Sequence, residues 1–278
     1  MSTVAVTSGL GALPSRFRRE RLLIVGYGDV GQRMARNLLT GPGAQRLRVL
    51  ALTSQAERVG SLRAQGVTPL VGNLDHAATL RRLSGLATRV VHLAPPPGEG
   101  GGGAAWWRDP RTVAPGTPRA QRRVNAERAV RHLGRAGVRT SILRIPGIYA
   151  PDREGGTPEA RLRRGTPVLT AQDDVYTNHI HADDLARACL AALWRGKPQR
   201  VYNVSDASAM KMGDYFDLAA DLYGLPRPPR VPRSTAQDAL PVMLLSFMSE
   251  SRRLDNHRLL DELGLRLRYP TVATGLRA

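Results

Sequence analysis

Lysine is almost missing from this chain: of 41 basic residues in 278, only Lys197 and Lys211 are lysines. The formal charge of +18 is therefore an arginine charge, carried by guanidinium groups that stay protonated and match the geometry of phosphate and carboxylate. Aromatic residues are also few, at 5%. The arginines are dispersed, so no stacking platform alternates with them, and a nucleic-acid partner is not expected. Phosphorylated small ligands suit this charge better. The single cysteine, Cys189, lies in an alanine-rich helical pattern. It excludes an intramolecular disulfide and a cysteine-based metal site and reads as a small core residue. His179 and His181 lack the surrounding carboxylates or cysteines of a metal site, and no metal is expected. No apolar run approaches the ~18 residues of a membrane span, so the chain reads as soluble and cytoplasmic, with no membrane partner. In residues 1–19, Arg16, Arg18 and Arg19 follow the mildly apolar stretch instead of preceding it. This is the reverse of a secretory signal, and the segment reads as a disordered leader.

What is present begins with the apolar run Arg21–Val25, then Gly26-Tyr-Gly28-Asp-Val-Gly31, then a helical pattern over Gln32–Leu39. The first glycine allows a tight turn and the second lets backbone approach a pyrophosphate. The third lets helix and strand pack closely while the helix N-terminus faces the anion. A turn that binds nothing can carry the same string, but the strand before and the helix after are the context a phosphate site needs. Leu47–Leu52 reads as a second strand, Gln55–Gln65 as a helix stopped by Gly66, and Val67–Val71 as a third strand. A helix over Ala77–Leu83, capped by Asp75, and a fourth strand, Arg89–Ala94, follow. Strands alternating with helices predict an α/β fold with a parallel sheet and right-handed crossovers. An acidic residue that would bind an NAD ribose is missing after the second strand. Thr53 and Ser54 stand there, with Arg58 close behind, which leans toward NADP over NAD, although Arg58 also reads as a solvated helix residue.

The alternation stops at Pro95. Residues 95–118 are rich in proline and glycine with no strand-like run, longer than structureless loops inside domains usually are. Arg119–Arg135 reads as a helix with Val124, Val130 and Leu133 on one face, ended by Gly137. A strand over Thr140–Ile145 leads into Pro146-Gly-Ile-Tyr149. Thr177–His181 precedes a helix over Asp183–Trp194 capped by Ala182-Asp183-Asp184. Val201–Val204 is the last clear strand, before a helix over Met212–Tyr223, a stiff Pro226–Pro232 connection and a short helix near Asn256–Leu263, stopped by Gly264. There is no internal repeat.

The glycine turn, Asn73-Leu-Asp75, His92-Leu-Ala94, Leu143-Arg-Ile-Pro-Gly-Ile-Tyr149, Asn178-His-Ile-His-Ala-Asp-Asp184 and Val201-Tyr-Asn-Val204 come in an order that resembles the short-chain dehydrogenase/reductase superfamily. The likeness is to its extended or atypical branch of NAD-dependent epimerase/dehydratase-like proteins, and it covers nearly the whole chain. It implies a Rossmann-type doubly wound parallel sheet with a small C-terminal substrate lobe. Gly26, Gly28, Val30 and Gly31 would cradle the pyrophosphate. Asn73, Leu74 and Asp75 would lie near the adenine, Ala94 and Pro95 along the cofactor ribose, and Pro146, Gly147 and Tyr149 beside the nicotinamide. Each has a plainer reading: Asp75 as a helix cap, Pro146-Gly147 as a turn.

The family's catalytic tyrosine, and the lysine four residues later, have no match. Aligning Ala126-Glu127 places Arg119 and Arg123 at those positions. Arg123 can still hold ribose, whereas a guanidinium at Arg119 cannot exchange a proton near neutral pH. The family's fifth strand and the helix before it also lack a counterpart, as though one strand-helix unit of about 30 residues were deleted. Either the Thr140–Ile145 strand closes that gap, or the fold is loosened there. Tyr149, Tyr176, His179 and His181 are the remaining candidates for a proton donor or acceptor, with Tyr149 and His181 foremost, and His181 reads also as a residue beside a helix cap. The resemblance divides the chain into a core over 20–150, a substrate lobe over 151–175 and 205–278, and a returning helix and strand over 176–204. In the lobe, Arg153, Arg161, Arg163 and Arg164 can meet a phosphate or form a solvated face. The expected partner is a small-molecule substrate, with a homodimer left open. Two functions follow: an NAD(P)-dependent oxidoreductase or epimerase on a sugar-like or other hydroxyl or carbonyl substrate, or a catalytically inactive NAD(P)-binding sensor or scaffold.

Overall fold

The computed structural model describes residues 20–41, 47–94, 118–240, 245, 248 and 251–278. Two units divide the chain, one made of Met1–Gly26 and Ala35–His92, the other of Tyr27–Met34 and Leu93–Ala278. The predicted leader, the 95–117 stretch and Pro95 lie outside the described residues.

The first unit is built on four parallel strands, β1 (Glu20–Val25), β2 (Leu47–Thr53), β3 (Thr68–Val71) and β4 (Arg89–His92), in the order β3-β2-β1-β4. β1 has a neighbour on each side, with Val25 opposite both Leu52 and His92. Its Leu22 and Ile24 are wholly buried, as a continuous apolar run in a parallel sheet should be. The chain steps from β1 outward to β2 and β3, then returns to place β4 on the other flank of β1. Strand order therefore reverses beside β1, the position where open α/β sheets bind ligands at their carboxyl edge.

Helix α1 (Asp29–Thr40) follows β1 directly. The helix predicted over Gln55–Gln65 is instead a 3-10 turn, Ala56–Arg58, followed by α2 (Val59–Ala64). The one predicted over Ala77–Leu83 is α3 (Ala77–Leu80) and a second 3-10 turn, Arg81–Leu83. Asp75 does not cap it. His76 is the extended residue before the helix, and the Asp75 amide instead donates to Asn73 Oδ1 at 3.0 Å.

In the second unit, α4 (Pro118–Arg135) precedes β5 (Ser141–Arg144), which pairs in parallel with β10 (Arg200–Asn203) as a two-stranded ladder. Pro146-Gly147 is no simple turn: β6 (Gly147–Tyr149) pairs in parallel with β9 (His179–His181). Two further ladders are only two residues long, β7 (Val168–Leu169) with β12 (Arg230–Val231) and β8 (Tyr176–Thr177) with β11 (Met210–Lys211). Strands this short carry no periodicity for the sequence to display.

Helix α6 (Ala182–Arg195) buries Leu185, Ala186, Ala188 and Cys189. Cys189 is thus a core residue, and burial pushes its thiol up to about 12. Helix α7 (Met212–Tyr223) has the predicted bounds and ends on Gly224, whose left-handed backbone closes the helix. A core of Tyr149, Leu162, Tyr215, Phe216, Ala219 and Val272 packs around α7 and the short helix α5 (Glu159–Arg163). In α4 the expected apolar face is incomplete: Val124 and Val130 are half-buried, but Leu133 is 52% exposed.

Candidate functional site

The glycine turn takes the form its residues predict. Gly26 follows the last residue of β1 with φ +90°, a conformation that disfavours any side chain. A Cβ built on Gly28 would meet nothing within 4 Å, so space is open above that backbone. Helix α1 starts at the next residue, and Gln32 N donates to Gly28 O at 2.9 Å. The unpaired amides of a 12-residue helix therefore begin among Gly28, Val30 and Gly31.

Behind this turn lies a feature that the sequence reading passed over. Arg33 is 4% exposed, and three carboxylates surround its guanidinium. Nε donates to Asp29 Oδ1 at 3.0 Å, Nη1 to Asp183 Oδ1 at 2.6 Å and Nη2 to Asp152 Oδ1 at 2.6 Å. Burial alone would weaken its hold on the proton, but the bonds to Asp152 and Asp183 and the charge of Asp29 more than offset that, so Arg33 stays a cation. Arg153 adds a second cation, with Nε 3.4 Å from Asp29 Oδ2 and Nη1 donating to Ile148 O at 2.9 Å. Asp29, in the middle of the glycine turn, is thereby held between two arginines. The i, i+4 spacing of Asp29 and Arg33 is the one signal in the sequence that could have revealed this cluster. Asp152 and Asp183 join it only through tertiary folding.

Of the other expected cofactor residues, Thr53, Arg58, Asn73, Leu74 and Asp75 belong to the first unit. Thr53 ends β2, with Val71 of β3 as its register partner, and Asn73, Leu74 and Asp75 follow the end of β3, so all four lie at the carboxyl edge of the sheet. Thr53 is buried, and its hydroxyl accepts from Gln55 N at 3.1 Å. Asn73 N donates to Thr79 Oγ1 at 3.0 Å, which leaves Leu74 and Asp75 exposed at the tip of the loop. Arg58 is half-buried at the end of its 3-10 turn. A recess lined by Arg21, Leu39, Arg48 and Gly66 also marks this unit, but at the opposite, amino ends of the strands.

Ala94, Arg123, Pro146, Gly147, Tyr149 and His181 fall in the second unit. Arg123 is an exposed residue of α4. Tyr149 is 1% exposed, and its hydroxyl donates to Thr271 O at 3.3 Å. Burial, with the nearby Asp206 carboxylate, holds its phenol above the usual range. His181 is the N-cap of α6, its Nδ1 accepting from Asp183 N at 3.2 Å, so the cap is the histidine and not the predicted Ala182-Asp183-Asp184. That bond assigns the proton to Nε2, an atom that is buried with no partner among the described residues. Tyr149 packs edge-on to His181 at 5.4 Å and to His179 at 6.2 Å.

Two carboxylates in this region differ sharply. Asp184 is fully buried and fully satisfied, accepting from Arg187, Arg268 N and Tyr269 N. Asp206 is 4% exposed and accepts from Ser208 N at 2.9 Å, and burial raises its carboxyl to about 7. Nothing in the run Ser205-Asp-Ala-Ser208 announces this in sequence.

The TrkA-N domain model matches residues 22–94, the segment from β1 through β4. Among curated proteins none matches the chain. Solved structures that it resembles include a functionally unknown conserved protein from Silicibacter pomeroyi, 26% identical, with a TM-score of 0.72 over 93% of this chain and 97% of that one. A nucleoside-diphosphate-sugar epimerase from Pseudomonas aeruginosa is 19% identical, with a TM-score of 0.69 over 93% and 96% of the two chains. The Bordetella bronchiseptica enzyme WbmF, solved with NAD+ and UDP, is 17% identical, with a TM-score of 0.65 over 95% and 92%. Together with the parallel four-stranded sheet, these likenesses establish a Rossmann-type α/β fold.

Proposed function

We propose that this chain binds NAD(P) through the Gly26–Gly31 turn and is of the epimerase/dehydratase type, an oxidoreductase or epimerase on a sugar-like or other hydroxyl or carbonyl small molecule. The observation that carries the reading is the turn itself: left-handed Gly26 after β1, open space above Gly28, and the amino end of α1 directly behind. The epimerase from Pseudomonas aeruginosa and the NAD+-bound WbmF supply support at the level of fold. Thr53 and Arg58 after β2, in place of an acidic ribose ligand, favour NADP over NAD. The division into a core and a substrate lobe over 151–175 and 205–278, a cytoplasmic location and a homodimeric option belong to the same reading.

A second reading, a cofactor-binding sensor or scaffold without turnover, draws on the contacts of the two candidate catalysts. Tyr149 is buried against Thr271, and His181 spends Nδ1 on a helix cap. Arg119 and Arg123, at the positions where the resembled family carries tyrosine and lysine, favour it too.

Calorimetric titration with NADP(H) and NAD(H), on the wild type and on Gly28→Glu, tests the binding reading. The variant brings a carboxylate to the place a pyrophosphate would take, without a steric clash at Cβ. Saturable binding by the wild type, tighter for NADP and lost in the variant at unchanged melting temperature, is expected. A folded wild type that binds neither cofactor rejects the proposal, and binding without turnover over a panel of nucleotide sugars and hydroxyl substrates favours the second reading.

A further inference from the structure

The four arginines that follow Tyr149 look alike in sequence and are distinct in the fold. Arg153 is tied to Asp29 and Ile148 O. Arg163 pairs with Glu159 one helical turn away, at 2.7 Å. Arg164 is exposed. Arg161 is half-buried on α5, its guanidinium carbon 4.7 Å from the centroid of the Phe216 ring. Among the described residues it has neither a carboxylate partner nor a hydrogen-bond acceptor.

A guanidinium withdrawn from water without a counter-charge is costly, and cation–π stacking on Phe216 offsets only part of that. Its surroundings contain a second unsatisfied group. His179 is 6% exposed, its Nδ1 is buried with no partner among the described residues, and its ring lies 4.2 Å from that of Tyr215. Tyr215 in turn meets Phe216 edge-on at 5.7 Å, so aromatic rings run from the Arg161 seat to His179. The charge of Arg161 helps to keep His179 neutral, after burial. A neutral imidazole can donate from Nδ1, and a fork of free guanidinium N–H groups is the usual receptor for a planar or tetrahedral oxyanion.

We propose that Arg161, seated on Phe216 and backed by His179, is a subsite for one oxyanion group of a ligand, a phosphate or a carboxylate. The subsite belongs wholly to the second unit. It does not depend on nucleotide binding at the glycine turn, and it gives the substrate of this chain an anionic end.

Thermal melts of the full chain in rising inorganic phosphate or sodium acetate, with chloride adjusted to constant ionic strength, test this. The wild type and Gly28→Glu should show the same saturable rise in melting temperature, and the anion that produces it identifies the group recognised. In Arg161→Met, which keeps the packing on Phe216, half-saturation should move about tenfold or more, the loss expected for charge-assisted hydrogen bonds. His179→Phe keeps an aromatic ring, removes the nitrogen, and should weaken the rise by a smaller factor. An unchanged rise in Arg161→Met overturns the proposal, and so does a rise lost only in Gly28→Glu, which would place the anion at the glycine turn. If Arg161→Met does not melt cooperatively, His179→Phe decides, an unchanged rise counting against the subsite. Cofactor titration of the same proteins keeps the two proposals apart, because failure of NAD(P) binding leaves the anion result intact.

Discussion

β1 and β4 lie side by side in one sheet and are both apolar at their centres, yet they are packed very differently. β1, flanked by β2 and β4, buries Leu22 and Ile24 completely, whereas β4 has β1 alone as its partner among the described residues and leaves Val90 55% exposed. The two long helices of the second unit repeat the contrast. α6 buries seven residues, while α4 leaves Leu133 over half exposed. An apolar pattern states what a segment can bury, and its neighbours determine whether it does.

The sharpest test of that contrast is at its best-packed polar point. Arg33→Met should destabilise the second unit by about 3–5 kcal/mol, because it leaves carboxylates of Asp29, Asp152 and Asp183 around a lost cation. A change under about 1 kcal/mol in urea melts would mean the cluster is solvated and loosely held. Leu22→Ala should cost about 3 kcal/mol through lost transfer energy and a cavity, against less than about 0.5 kcal/mol for Val90→Ala on the exposed face of β4. Equal losses would erase the difference between the two strands.

Buried titratable groups give an intermediate effect with opposite signs. Asp206, with its carboxyl at about 7 against ~4 in an unfolded chain, keeps its proton longer when folded, so its contribution to stability is lost as pH rises from about 4 to about 7. His179 is held down to about 4 against ~6.5 unfolded, mainly by burial, so its contribution is lost as pH falls from about 6.5 to about 4. The two slopes oppose each other in the wild type. Asp206→Asn should expose the histidine slope and stabilise the protein at pH 7 by on the order of 2 kcal/mol, while His179→Phe should leave stability falling with pH. Identical pH profiles for all three proteins would show that neither group titrates as its burial requires. The smallest effect is expected at Leu133→Ser in α4, within about 0.5 kcal/mol, and a larger loss would reveal a packing partner for that face.

The longer elements were the more legible because their signals are local. Apolar runs of five to seven residues, a glycine turn and alternating helices placed β1, α1 and β2 within a few residues of their observed bounds, and α7 matched at both ends. Helix starts misled: Asp75 and Ala182-Asp183-Asp184 both looked like caps, yet His76 and His181 hold those positions. A cap depends on backbone dihedrals at one residue, and neighbouring acidic side chains do not reveal them.

For the candidate sites, the sequence by itself determined the glycine turn, since strand, turn and helix are contiguous and each glycine is set by its own backbone. Only the tertiary structure decided how the arginines are partnered. Arg33, Arg153 and Arg163 find carboxylates, two of them far away in sequence, while Arg161 is seated on an aromatic ring without one. Pairing and desolvation are properties of a neighbourhood assembled from β6, α5, β9, α6 and α7, and no local stretch of residues contains that information.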